Sequence, residues 1–234
     1  MTAPSGRSAG PGGSAGQGAM EALYPFLYSG TTDLSAVLEE VRRSTVAKTA
    51  EITALRARIG ERDGAALAAA AAAMAARFAG GGRLLAFGNG GSATDAQELA
   101  TLFLNPGGGA RALPAFALGN DTSVVTALCN DIGVEVVFAR QVAAFGRRSD
   151  IAVGLSTSGN SENLVRAFEE ASRRGMLTVG IAGYDGGKMA ELDTIDHLFV
   201  APSESVHRIQ EAQTTVYHVL WELTLAALRG PGPG

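Results

Sequence analysis

The chain predicts an α/β fold, a three-layer sandwich with a central parallel sheet, preceded by N-terminal helices. Three observations carry that prediction. Largely apolar strand segments recur at residues 83–87, 113–118, 151–155, 177–182 and 197–200, and strands apolar on both faces belong in a sheet covered on both sides. Helical stretches separate these runs, as parallel strands require. Two of the strand-to-helix junctions are loops of small and hydroxyl residues, and in such sheets ligands bind where strand C-termini meet helix N-termini.

Each element follows from local chemistry. Residues 1–20 are rich in Gly, Ser, Ala and Pro without an apolar h-region, so they read as a disordered tail and not a signal peptide. Leu34, Val37, Leu38, Val41, Val46, Ile52, Leu55 and Ile59 recur at helical spacing over 32–59, with Asp33 able to cap the start. A second helix, 65–78, ends at Gly80-Gly81-Gly82. Its alanine run is short and interrupted by Arg77, so it is a buried helix and not a membrane span. Residues 32–79 thus form an N-terminal helical segment. Strand 83–87 leads to helix 93–103, strand 113–118 to helix 123–128, and helix 134–145 comes next. Strand 151–155 precedes helix 162–174, which Gly175 caps; strand 177–182, a short helix at 187–192 and strand 197–200 follow. The long helix 205–228 closes the domain that starts at residue 80, and 229–234 is a disordered C-terminus.

Composition narrows the function classes. With 234 residues there is room for one α/β domain and an accessory helical segment. The net charge of −4 is spread without blocks, which leaves no electrostatic footprint for nucleic acid. Cys129 is the single cysteine, so no internal disulfide and no Cys/His zinc spacing exists, and a reducing cytoplasm is the expected location.

The most informative stretch is residues 84–99, LLAFGNGGSATDAQEL. An apolar strand stops at Gly88-Asn89-Gly90-Gly91-Ser92 and a helix begins, which presents backbone N–H groups to a phosphate or another anion. The device returns after strand 151–155, where Ser156-Thr157-Ser158-Gly159-Asn160-Ser161 opens the next helix. Two such loops suggest one phosphorylated ligand held from two sides. Gly88-x-Gly90-x-x-Ala93 also fits a dinucleotide fingerprint. That reading needs an acid about 20 residues on, whereas the first acid after the next strand is Asp121, and it leaves the second loop without a role. A plainer alternative is two tight turns with no ligand, since turns favour Gly, Asn and Ser.

In this order, GNGGSATDA, Asn130-Asp131, STSGNS, GYDGGKMA and RIQEAQTTVYH resemble the phosphoheptose isomerases of the sugar-isomerase (SIS) domain superfamily. The likeness runs from about residue 34 to 228. The resemblance implies a flavodoxin-like SIS domain and interconversion of sedoheptulose 7-phosphate with a heptose 7-phosphate. It also implies homotetramers with sites assembled between subunits. Asn89, Gly90, Gly91 and Ser92 match the first sugar-phosphate loop; Ser156, Thr157, Ser158 and Ser161 match the phosphate cradle. Asn130 and Asp131 match the pair that contacts the sugar, and Gln210 and His218 match two zinc ligands. Hydroxyls and helix N-terminal N–H groups suit a phosphate dianion without a fixed cation.

The departures from the pattern matter as much. The helix after GNGGS typically reads D-A-x-H-x-x-x-E, where the His binds metal and the Glu is both ligand and base. Here Glu98 stands in the His place and Leu102 in the Glu place. Leu102 can neither bind metal nor take a proton. Glu98 can do both, one helical turn, about 6 Å, from the usual base. The expected catalytic pair is therefore Glu98 and His218, with Glu98, Gln210 and His218 as three N/O ligands for zinc. Aldose–ketose isomerisation through an enediolate is the expected reaction, with a phosphorylated sugar as partner and neither nucleic acid nor membrane. The alternative is a catalytically silent sugar-phosphate-binding regulator, which Leu102 favours and the retained His218 and Gln210 disfavour.

Overall fold

The computed structural model describes residues 34–230; the expected tail at 1–20, the cap at Asp33 and residues 231–234 lie outside them. Helix α1 (Leu34–Ala79) is continuous where the periodicity suggested two helices. Gly60 and Gly64 lie at the expected break, and each costs a helix about 1 kcal/mol relative to alanine. Burying Ile59 and Leu67 on either side outweighs that cost, at roughly 1.5–3 kcal/mol per side chain.

Two compact units divide between Thr49 and Ala50. In the first, the helical residues up to Thr49 expose Val37, Leu38, Val41 and Val46, while Arg42 and Arg43 pair with Glu39 and Glu40. The second unit begins inside α1, and Ile52, Leu55, Ala70, Met74 and Phe78 of that helix are buried in its core.

That second unit alternates strands and helices. After α1 come β1 (Leu84–Gly88), α2 (Gly91–Leu104), β2 (Ala115–Ala117), α3 (Thr122–Asp131), a 3-10 turn (Val134–Val136) and α4 (Val137–Phe145). Then follow β3 (Ile151–Ser156), α5 (Glu162–Arg173), β4 (Leu177–Gly183), a second 3-10 turn (Gly187–Glu191), β5 (His197–Ala201) and α6 (Val206–Arg229). All pairings are parallel, in the order β2-β1-β3-β4-β5. The three-layer α/β sandwich is as the apolar runs predicted. β2 is shorter than its apolar run because it is an edge strand that starts after Pro114, a residue without an N–H to pair.

Strand alternation sorts the core into two layers. Leu84, Ala86, Val153 and Ile181 face the side covered by α1, α2 and α6. Leu85, Phe87 and Ala152 face α4 and α5. Gly154 lies between the rings of Phe87 and Phe168, whose centroids are 5.2 Å apart, and a Cβ there would meet both at 2.7 Å or less. At the opposite end of the sheet, fully buried Asp150 accepts from the Arg83 N–H and Nη2 and from the Arg147 N–H at 2.7–3.0 Å. That clamp joins the starts of β1 and β3.

Candidate active site

Both predicted loops sit at the C-terminal edge of the sheet, side by side, because β1 and β3 are neighbours. After Gly88 the chain turns through Gly90 at φ 55°, a left-handed conformation that glycine adopts without strain, and α2 starts at Gly91. No side chain caps α2 or α5, whereas Asp121 caps α3 by accepting the Val124 N–H at 3.0 Å. Some first-turn N–H groups of these helices bond backbone carbonyls (Ser92 and Ala93 to Asn89 and Gly90, Leu164 and Val165 to Ser161), and no side chain competes for the helix N–H groups before them.

The second loop is braced from within. Buried Ser156 Oγ accepts the Gly159 N–H at 3.1 Å and lies 3.2 Å from Ser161 Oγ. Ser158 Oγ accepts the Asn160 N–H, and Asn160 Oδ1 accepts the Lys188 N–H at 3.0 Å. Thr157 is half-buried beside them. From below, the fully buried Gln213 donates to the carbonyls of Ser156 and Ile181, both at 3.2 Å, tying α6 to the ends of β3 and β4. Asn89 of the first loop exchanges two hydrogen bonds with Asn163 on α5, each 2.9 Å.

A polar seam runs between α2 and α6. At its loop end the Gln210 carboxamide lies against Gly91, so close that any Cβ at that position would collide with it. Further along, the Tyr217 hydroxyl donates to Glu98 Oε2 at 2.9 Å, and Glu98 Oε1 lies 3.4 Å from His218 Nε2. The His218 ring stacks on Tyr217 with centroids 5.2 Å apart and meets Trp221 edge-on. Asp95 shares the seam, its Oδ2 buried without a partner. Burial first, and the Glu98 charge second, push Asp95 up from 3.8 to about 6, with the Tyr217 hydroxyl pulling the other way. Burial likewise pushes the Tyr217 phenol up.

Sequence reasoning thus named the loops and the Glu98–His218 pair, and the structure brings those two side chains together. It passed over Tyr217, Asn163 and Gln213, and left Asp95 without a role. Their one signal in the sequence is a polar residue on an otherwise apolar helix face. Asn130 and Asp131, at the end of α3, hydrogen-bond to each other at 2.9 Å and are exposed; no hydrogen bond joins them to either loop among the described residues.

Zinc, which the resemblance implies, takes three protein ligands in a catalytic site. Among the described residues no three His, Cys, Asp or Glu side chains converge on such a site. Glu98 and His218 supply two donors, Leu102 supplies none, and the Gln210 carboxamide lies at Gly91. Gly91 and Glu98 are seven helical residues apart, about 10 Å of rise. The donor set present does not fit a resident catalytic zinc.

A family model described as SIS domain matches residues 49–183. The phosphoheptose isomerase of Pelodictyon phaeoclathratiforme is 43% identical over 188 residues, covering 79% of this chain and 87% of that protein. The one from Desulfovibrio desulfuricans is 51% identical over 149 residues, covering 63% of this chain and 70% of that protein. Among solved structures, phosphoheptose isomerase from Neisseria gonorrhoeae superposes with a TM-score of 0.70 at 36% identity, covering 78% of this chain and 97% of that one. The Francisella tularensis enzyme gives 0.69 at 31%, covering 83% and 98%. The chain therefore belongs to the phosphoheptose isomerase family of SIS-domain proteins.

Proposed function

We propose that the protein is an aldose–ketose isomerase acting on sedoheptulose 7-phosphate or a similar ketose phosphate, and that Glu98 and His218 carry the proton transfers. The observation behind it is the juxtaposition of a carboxylate on α2, the helix that leaves the first loop, and an imidazole on α6, 3.4 Å apart. The phosphate is held between the two loops by uncapped helix N-termini and by Ser92, Thr157, Ser158 and Ser161, which orients the sugar. Glu98 removes the proton from C1 of the ketose and returns it at C2, while His218 moves the hydroxyl proton that the enediolate requires. Positioned groups of this kind contribute roughly 10²–10⁴-fold.

Because Glu98, Gln210 and His218, the three ligands the sequence suggested, do not converge, no step is routed through zinc. Glu98→Gln tests the proposal: turnover falls by at least two orders of magnitude while sugar-phosphate affinity stays within a few-fold. A wild type inert on every C5–C8 ketose phosphate favours the silent, sugar-phosphate-binding reading instead.

The same proposal places the chain in the cytoplasm as a homotetramer, with residues 80–228 as the substrate-binding domain. Helix α3 buries no residue; exposed Val124 and Phe145 line a groove of about 570 Å³, and Ile132 and Val134 are exposed as well. So much open apolar surface next to Asn130 and Asp131 suits a site completed by a second copy. A clean monomer in light scattering overturns that part. Among the described residues no helix is long and apolar enough to cross a membrane.

A further inference from the structure

We propose that Tyr217 is a positioning residue: its hydroxyl holds Glu98 Oε2 and its ring backs His218, leaving Glu98 Oε1 as the working oxygen. The proposal rests on the isomerase reading for its kinetic consequence and on geometry alone for its structural one. A carboxylate whose side chain is 50% exposed, as that of Glu98 is, samples several rotamers unless something anchors it. Tyr217 is fully buried, so the core around α6 fixes where its hydroxyl points. That hydroxyl donates to Oε2 at 2.9 Å, with the Asp95 carboxylate as a second acceptor in the seam. The second oxygen, Oε1, is left facing His218 Nε2. The imidazole is stacked on the same tyrosine, at an interplanar angle of 27°. One buried side chain thereby orients both members of the acid–base pair across the α2–α6 seam. An imidazole at position 98 would present a single nitrogen to the site, whereas a glutamate there has two equivalent oxygens, and the phenol makes them inequivalent.

The test is Tyr217→Phe, which keeps the ring, its stacking and its core packing and removes only the oxygen. Two readouts are used on the full chain: kinetics with sedoheptulose 7-phosphate, and the Glu98 side-chain conformation by crystallography or carboxylate ¹³C NMR. The expected result is a kcat 10- to 100-fold lower with KM within two-fold and a melting temperature within a few degrees. Glu98 is spread over more than one rotamer, and no further loss occurs in a Glu98→Gln background. An unchanged kcat in an active enzyme, a loss confined to KM, or a single unaltered Glu98 rotamer in the variant overturns the proposal. If the wild type is inert but the variant frees Glu98, the isomerase reading fails and the positioning role stands.

Discussion

Asn89 and Asn163 exchange two hydrogen bonds, amide to amide, each 2.9 Å long. The pair fastens the first phosphate loop to α5, the helix that leaves the second. The two loops are thereby one object, although 74 residues separate the two asparagines.

Breaking that fastening tests whether the loops act together. Asn163 is buried but Asn89 is exposed and its freed amide can turn to water, so Asn163→Ala costs about 1–2 kcal/mol of stability. The expected result is a lower melting temperature and a 10- to 100-fold loss of sugar-phosphate affinity in calorimetry. Unchanged affinity shows that the loops bind independently.

Ser156 and Ser158 shape the second loop through the Gly159 and Asn160 N–H groups. The double change Ser156→Ala with Ser158→Ala removes the braces and two hydroxyls near the phosphate, together roughly 3–6 kcal/mol in a dry site. Phosphate-dependent thermal stabilisation disappears while the protein still folds. If the stabilisation persists, the loop is not the cradle.

The metal argument makes a prediction in both directions. As purified, the protein holds well under one zinc per chain, and a chelator leaves kcat unchanged. Restoring the family pattern with Glu98→His and Leu102→Glu places two donors at i, i+4 on one helix face and strengthens zinc binding at least 100-fold, read by calorimetry. Stoichiometric zinc in the wild type refutes the argument from the donor set.

Asp95 links the site to stability. Its carboxyl titrates near 6 when folded and near 3.8 when not, so the folded protein holds a proton across that interval that the unfolded chain has lost. Stability therefore falls as pH rises from about 4 to above 6, and the full cost is present at pH 8. After allowance for partial exposure the cost is on the order of 1–2 kcal/mol. Asp95→Asn is expected to melt higher than the wild type at pH 8 and to converge with it at pH 4. Equal melting temperatures at both pH values contradict the assignment.

The sequence by itself determined the layered fold and where its two small-residue loops, the candidate phosphate loops, lie in it. Both follow from local rules: runs apolar on both faces make parallel buried strands, and small residues at a strand–helix junction expose helix N-termini. It also showed, through Glu98 and Leu102, that the usual metal and base pattern is broken. Only the tertiary structure decided who holds whom. Tyr217 and Glu98 are 119 residues apart, and their meeting depends on how α2 and α6 are rotated against each other. The Gln210 contact with Gly91, the Asn89–Asn163 pair and the single α1 helix depend likewise on packing between distant segments. Periodicity fixes which face of a helix is buried, but the partner across that face is chosen by the crossing of two helices.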